Sequence, residues 1–295
     1  MMRIALLGYY GRGNAGDDRI LQCVQKIFCG HSFVVAEAWG DAEGRIDEIN
    51  ACDFVLLGGG GLIVPNLNRK AAFIKSIKSR FGCIGLGVEY RDKSNDDLIK
   101  ILEDKAEFIW VRDQGGAALI NCQTIMGGDL TFIDPYPVVF VQRNVCGVNP
   151  PWDWSPQQIG QCRRVLVESF AERVHLPFFD FGNPWPVIFR PADYLRNRYA
   201  KCRFVVGKRF HSVVFAIQSG LPFITFPYSP KSQRLCVDAG LSPYALSNVD
   251  GLEEQIDVMK RDYDRVRQQI LEFRTMSVTA AVSAALHIKN IMGAE

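Results

Sequence analysis

The chemistry in this sequence concentrates at residues 207–231, GKRFHSVVFAIQSGLPFITFPYSPK. Lys208, Arg209, Phe210, His211 and Ser212 stand between an apolar run at 203–206 and a segment with helical spacing at 212–219 that stops at Gly220. A helix start presents backbone N–H groups and the positive end of the helix dipole, so cations beside it make an anion site. Arginine adds a planar fork that matches a carboxylate or phosphate, and histidine, with an unperturbed pKa of about 6.5, can give or take a proton. After the next apolar run, 223–226, come Tyr228, Ser229, Lys231 and Arg234 at a second helix start. Two neighbouring loops bearing Arg209, His211 and Lys231 suit one small polyanion. The plainer reading makes Ser212 a helix cap, Lys208 a solvated charge and His211 a backbone-bonded ring.

Three further segments carry backbone or charge in patterns that a ligand could use. The first is GYYGRGNAGDD at 8–18, where Gly8, Gly11, Gly13 and Gly16 allow tight turns and the helix beginning near Asp17 would aim N–H groups at an anion. The glycine spacings of three, two and three are not those of a dinucleotide fingerprint, and no Gly-Lys-Ser/Thr follows to make a P-loop. Asp17 and Asp18 would repel a phosphate; they fit helix-start residues, sugar-hydroxyl acceptors or a general base. The second is the loop expected at Gly58, Gly59, Gly60 and Gly61, behind the apolar FVLL, where bare backbone serves ligand contact or close packing. The third is Val111-Arg112-Asp113, which lines a binding cleft or forms a local ion pair at a helix start.

These loops need elements to hold them. In the first half, apolar runs at 3–7, 32–36, 54–57, 83–88, 108–111 and 124–126 read as strands. Helical stretches at 19–28, 47–51, 68–80, 96–104 and 114–120 alternate with them. The pattern breaks at Asp134, Pro135 and Pro137, then resumes with runs at 138–148, 176–181, 203–206, 223–226 and 244–246. Helices are expected at 155–174 (Ser155 as N-cap), 192–202, 212–219, 232–238 and 252–274, and a last apolar one at 278–291. Strand–helix alternation of this kind predicts α/β units around parallel sheets. The expected division is 1–137, 138–274, and a C-terminal helix, 275–295, that packs back on the body. In such sheets ligands sit beyond the carboxyl ends of the strands, so two doubly wound domains would face one cleft.

Composition narrows the function. At 295 residues, 48% hydrophobic and 22% charged, the chain is globular and long enough for two domains. Lys plus Arg is 34 against 32 Asp plus Glu, a net charge of +2, so binding of nucleic acid through bulk charge is not expected. Nine cysteines with no CxxC pair read as reduced, buried thiols and give no zinc site; no metal is expected. The amino-terminal residues run directly into an apolar strand, and no apolar stretch approaches the roughly 18–20 residues of a membrane span. The expectation is a cytoplasmic protein, working free or at the inner face of a membrane.

In these motifs the sequence resembles the polysaccharide pyruvyl transferase family. The likeness is carried by GYYGRGNAGDDRIL, VLLGGGGL at 55–62, VRD at 111–113 and, most strongly, residues 207–231, in the family's order. It implies a glycosyltransferase B-type architecture of two Rossmann-like domains, the first on the acceptor side and the second on the donor side. It also implies transfer from phosphoenolpyruvate to a sugar of a cell-surface polysaccharide or its lipid-linked precursor, as a pyruvate ketal. The family's Arg-x-His motif falls on Arg209 and His211, its Tyr-x-x-Lys on Tyr228 and Lys231, and its Asn-x-Gly-Asp on Asn14, Gly16 and Asp17. The implied roles are His211 as general acid or phosphate-activating donor, with Asp17 or Asp18 accepting hydroxyl protons. Lys208, Arg209, Ser212, Tyr228 and Lys231 would bind the donor; Gly11, Asn14, Gly16, Gly58 to Gly61 and Arg112 would line the acceptor loops. No cofactor is implied beyond phosphoenolpyruvate itself, which is a substrate.

Three rival readings use the same features. A nucleotide-sugar-dependent glycosyltransferase would place a diphosphate at the helix starts of the second domain. It would want an acidic residue on the ribose, and residues 228–242 supply only Asp238. A nicotinamide-dependent oxidoreductase would use the first glycine loop with Glu37, and a non-catalytic binder would keep the anion site without turnover. The last helix docks on the first domain, or else makes a dimer or membrane contact, so the oligomeric state is open.

Overall fold

The computed structural model describes residues 1–149, 154–178 and 191–294. They divide into two compact units, residues 1–134 with 277–294, and residues 135–149, 154–178 and 191–276.

The first unit holds a six-stranded sheet: β1 (Arg3–Gly8), β2 (Ser32–Glu37), β3 (Phe54–Ile63), β4 (Arg80–Val88), β5 (Ile109–Val111) and β6 (Ile125–Met126). All neighbours pair in parallel, in the order β2-β1-β3-β4-β5-β6. Helices α1 (Ala15–Ile27), α2 (Ile46–Asn50), α3 (Ala71–Ser76), α4 (Asp96–Lys105) and α5 (Gln114–Ala117) make the connections. Strands β1, β3 and β4 are apolar almost throughout and buried, as strands covered on both faces must be. The chain leaves β1 for β2 on one side and returns to β3 on the other. The β1/β3 junction is therefore the switch point at which open α/β sheets bind ligands.

The second unit repeats this plan with four parallel strands: β7 (Val145–Asn149), β8 (Glu172–His175), β9 (Phe204–Gly207) and β10 (Phe223–Thr225), ordered β10-β9-β7-β8. Its helices are α6 (Pro156–Ser169), α7 (Pro191–Tyr199), α8 (Phe210–Gln218), α9 (Pro230–Asp238) and α10 (Leu252–Arg261). The corresponding switch point is β7/β9. Both sheets thus open in the same Rossmann-like order, and the α/β class with two such units is the observed fold.

Several elements differ from the sequence expectation. The chain changes unit between Asp134 and Pro135 rather than after 137. Asp134 is held in the first unit by Arg19 and Lys26, whereas the Tyr136 N–H donates to Gln218 in the second. Helix α6 ends at Ser169, because Phe170 turns extended, and the strand begins at Glu172 instead of 176. Its sequence, ERVH, hides it: this is an edge strand whose side chains are largely exposed. Of the strand expected at 176–181, residues 179–181 lie outside the described residues. The strand expected at 244–246 is one bridge, Thr225 to Ala245.

The C-terminal helix also starts earlier. The break falls at Asp262, and α11 (Tyr263–Met292) is continuous for 30 residues. Thr275, Met276 and Ser277 include neither glycine nor proline, so nothing stops the helix there. Its last turns belong to the first unit, where Ala281, Ala284 and Ile288 are buried. Arg80 donates to the end carbonyls of Ile291 (3.0 Å) and Met292 (3.1 Å), satisfying acceptors the helix cannot satisfy itself.

Candidate active site

In the second unit, β9 delivers Lys208 and Arg209 from its carboxyl end, and α8 begins at Phe210 with Arg209 as its N-cap residue. Arg209 is extended there (φ −67°, ψ 142°) and caps without a side-chain hydrogen bond. Three contacts fix this turn. The Ser212 hydroxyl donates to the Arg209 carbonyl (2.6 Å), the Arg209 N–H donates to Asn149 Oδ1 (3.1 Å), and Asn149 Nδ2 donates to the Leu176 carbonyl (3.1 Å). Gly207 is required by this packing: a β-carbon would lie 2.6 Å from Ser212 Oγ and 3.1 Å from Asn149 Cβ.

The expected donor residues separate into two groups. Lys208 and His211 are buried to 7% and 9% exposure, and the His211 ring packs beside Phe210 and Phe215. Arg209 is half-buried, Tyr228 is exposed and Lys231 is intermediate, with its ammonium 5.9 Å from the centre of the Tyr228 ring. These five charged or polar groups stand on the loops after β9 and β10. The two loops are tied by the Phe226 N–H donating to the Gly207 carbonyl (3.2 Å). Ser212 differs from them: it is fully buried and its hydroxyl donates to the Arg209 carbonyl, which shapes the turn. Helix α9 follows Ser229, which also caps without a side-chain bond.

In the first unit the β1–α1 loop is built differently. Asn14 is the N-cap of α1 and accepts the N–H groups of Gly16 (3.1 Å) and Asp17 (3.5 Å). Asn14 thus takes two of the N–H groups with which this helix start was expected to meet an anion, and two carboxylates follow. Gly11, in left-handed backbone (φ +74°), donates its N–H to Asp18 (3.3 Å). Burial raises the Asp18 pKa, with the Gly11 hydrogen bond opposing. Asp17 is buried to 8% exposure. Glu37, at the carboxyl end of β2, forms an ion pair with Arg12 and so anchors the glycine loop.

The four-glycine segment is not a loop. Gly58 to Gly61 lie inside β3, and close packing demands bare backbone at Gly58, Gly59 and Gly60. A β-carbon on Gly58 would fall 1.9 Å from the Ile84 carbonyl oxygen, and one on Gly60 would fall 2.5 Å from Asp17 Oδ1. Gly59 and Gly60 also hold φ of +82° and +88°, the left-handed region, and the pairing with β4 shifts register just beyond them. Arg112 is buried, its Nε 3.7 Å from Asp113, while Asp113 caps α5 through the Gly116 N–H (2.7 Å). The local ion pair is thus formed. A β-carbon on Gly87 would lie 2.8 Å from both the Arg112 guanidinium and the Gly60 carbonyl, so Arg112 borders the same strand ends as Asp17.

Two residues that sequence reasoning missed belong here. Asn149 ends β7 and joins three strand ends; the only signal was a polar residue closing an apolar strand. Tyr10 is buried within the glycine loop, and its hydroxyl donates to the Gly58 carbonyl (2.5 Å). Burial and, secondarily, the charge of Asp17 raise its pKa well above the ordinary tyrosine value.

All nine cysteines are free thiols, and burial pushes Cys23, Cys202 and Cys236 up to about 12, so these are poor nucleophiles. Among the described residues no cluster of His, Cys, Asp or Glu could hold a metal, and no helix is long and apolar enough to cross a membrane.

Residues 6–230 match the model of the polysaccharide pyruvyl transferase family. No curated protein matches the chain in sequence. Among solved structures, it is similar to a Listeria monocytogenes protein described as a UDP-N-acetylglucosamine 2-epimerase (TM-score 0.66, 11% identity, 97% of this chain and 95% of that one). Anabaena HepE, in complex with UDP and glucose, is similar over 100% of both chains (TM-score 0.59, 10% identity). MnaA of S. aureus, solved with UDP, is similar over 100% of this chain and 98% of its own (TM-score 0.59, 11% identity). At these identities the likeness is one of fold: the two-domain glycosyltransferase B-type architecture.

Proposed function

Because this chain belongs to the polysaccharide pyruvyl transferase family, we propose that it moves the enolpyruvyl-derived group of phosphoenolpyruvate onto a saccharide as a pyruvate ketal. The observation that supports this reading is the cationic cluster Lys208, Arg209, His211 and Lys231 on the two tied loops at the carboxyl edge of the second sheet. Phosphoenolpyruvate carries a carboxylate and a phosphate, and arginine forks with helix starts match both groups.

The reaction follows from the substrate. A proton is delivered to the methylene carbon, the central carbon becomes electrophilic, and one sugar hydroxyl adds to it. The second hydroxyl then displaces phosphate. One hydroxyl proton balances the new methyl group and the other leaves with phosphate. His211 serves as the proton donor or activates the phosphate, and Arg209 and Lys231 neutralise the donor. Asp17 or Asp18 accepts the hydroxyl protons. Burial raises the pKa of Asp18 toward the working pH, which suits a base. The acceptor is a sugar of a cell-surface polysaccharide or its lipid-linked precursor, met in the cytoplasm or at the inner face of a membrane.

A nucleotide-sugar donor is the second reading, favoured by the UDP bound in two structures of similar fold. One observation counts against it. Asp238 is exposed at the far end of α9, about 12 Å of helix from the start that carries Lys231. The nicotinamide reading is disfavoured separately, because Glu37, the acidic residue it would use, is committed to Arg12. Thermal-shift titration with phosphoenolpyruvate, UDP-glucose and NAD distinguishes the readings. A ligand at ~100 times its Kd adds ~2.7 kcal/mol, a shift of several degrees. Stabilisation by phosphoenolpyruvate alone, lost in Arg209→Ala, is expected; stabilisation by UDP-glucose instead would overturn the pyruvyl reading.

A further inference from the structure

A concavity in this unit lies between α6 and the β7–β8 pair. It has a volume of about 510 Å³, within the usual range of small-molecule pockets, roughly 300–1,000 Å³. Its apolar lining comprises buried Cys162 and Leu166 and half-buried Val148 and Trp154, and exposed Ile159 extends the apolar surface outward. The other lining residues, Arg163, Arg173 and His175, are exposed. Among the described residues, neither arginine forms an ion pair, and Arg173 makes one hydrogen bond, to the Phe170 carbonyl (3.2 Å). Among the described residues the lining includes no Asp or Glu. Burial and the neighbouring charge of Arg198 lower the His175 pKa, so this ring carries less positive charge than an ordinary histidine.

An apolar hollow with unpaired guanidinium groups on its rim is complementary to an amphipathic anion. The lining has too few polar groups to recognise a sugar or the edge of a nucleobase, each of which needs several hydrogen-bond partners. A polyphosphate would find no helix start here, because the α6 N-terminus is closed by the Ser155–Gln158 capping box. We propose that this cavity binds an acyl-chain carboxylate, with its chain against Trp154, Ile159 and Leu166 and its head group on Arg163 and Arg173. Trp154 also packs edge-on against Phe226, 4.5 Å between ring centres, at the root of the loop that carries Tyr228. Occupancy therefore touches a residue that supports the cationic loops.

The test is titration of the full chain with decanoate below its micelle-forming concentration, followed by calorimetry and tryptophan fluorescence. Decan-1-ol and decyltrimethylammonium are compared as the uncharged and cationic versions of the same chain. Decanoate is expected to bind at least ten-fold more tightly than either. The double variant Arg163→Gln/Arg173→Gln should weaken it by about ten-fold or more, the scale of a lost charge-assisted hydrogen bond. Ile159→Asp, at the exposed mouth, should abolish binding while leaving the melting temperature within a few degrees. Equal binding of the three probes, indifference to the arginine substitutions, or no binding at millimolar decanoate would each overturn the proposal. Stabilisation by phosphoenolpyruvate is measured on the same variants, so failure here is distinguishable from failure of the pyruvyl reading.

Discussion

Asn149 and Arg209, sixty residues apart, meet at the β7/β9 switch point, where the Asn149 side-chain oxygen accepts the Arg209 backbone N–H at 3.1 Å. The same amide donates to Leu176, so one buried side chain fixes the ends of β7 and β8 and the start of α8. The direction of Arg209 and the position of His211 two residues later depend on it.

Asn149→Ala should therefore cost about 1–3 kcal/mol of stability, the usual penalty for stranding a buried polar group, and should weaken phosphoenolpyruvate binding. Asn149→Asp is the more informative change. It keeps the acceptor for Arg209 but sets a carboxylate against the Leu176 carbonyl, which only a protonated Asp can satisfy. Donor affinity of this variant is expected to recover as pH falls, with no such trend in the parent. Binding curves at several pH values, beside melting curves at the same pH, separate a positioning role from a purely structural one.

His211→Ala should retain the fold and lose about 10²–10⁴-fold in turnover, the range supplied by a positioned acid or base. Phosphate release from phosphoenolpyruvate in the presence of acceptor measures it. Turnover near the parent's would remove His211 from the mechanism.

For Asp18 the sign of the pH effect is opposite to that of a salt-bridged carboxylate. Burial raises its folded-state pKa, so its ionisation in the folded state is disfavoured. That group contributes stability at pH below its unfolded pKa of about 3.9 and loses it as pH rises through the folded value. Asp18→Asn, which can still accept the Gly11 N–H, should thus raise the melting temperature at pH 7 and have little effect at pH 3. If Asp18 is the base, turnover should fall by about 10²-fold or more in the same variant. Stability gained together with activity lost marks a site residue rather than a scaffold residue.

Tyr10→Phe removes the hydroxyl that donates to Gly58 and should cost about 0.5–1.5 kcal/mol at neutral pH. The raised pKa of Tyr10 means that the folded state holds this proton more tightly than the unfolded chain does. Stability is present below the unfolded tyrosine pKa of about 10 and declines as pH climbs above it. Denaturant midpoints from pH 8 to 11 should fall less steeply in Tyr10→Phe than in the parent.

The candidate site was legible wherever charge and local pattern coincide. Lys208, Arg209 and His211 read as a helix-start cluster because a buried strand, a short polar turn and an apolar helix lie within twenty residues of one another. The two α/β units were equally legible, since strands buried on both faces must be apolar runs and the intervening helices amphipathic. The break at Asp134 and Pro135 showed because proline interrupts both patterns.

What the tertiary structure decided were the features whose cause is distant in sequence. Gly58 to Gly61 read as a loop, and only the Ile84 carbonyl, the Ile20 side chain and the Asp17 carboxylate, brought close by folding, explain why the strand needs bare residues at Gly58, Gly59 and Gly60. Strand β8 read as neither strand nor core, because an edge strand makes its hydrogen bonds with few apolar side chains. Asn149 shows only as a polar residue closing an apolar strand and Tyr10 carries no local signature, since each acts through a backbone group about fifty or sixty residues away. Sequence pattern fixes which face of an element is buried, because burial of apolar surface is a local property of the residues. The partners of a buried polar atom are set by which strand ends become neighbours, and strand order is decided only when the sheet assembles.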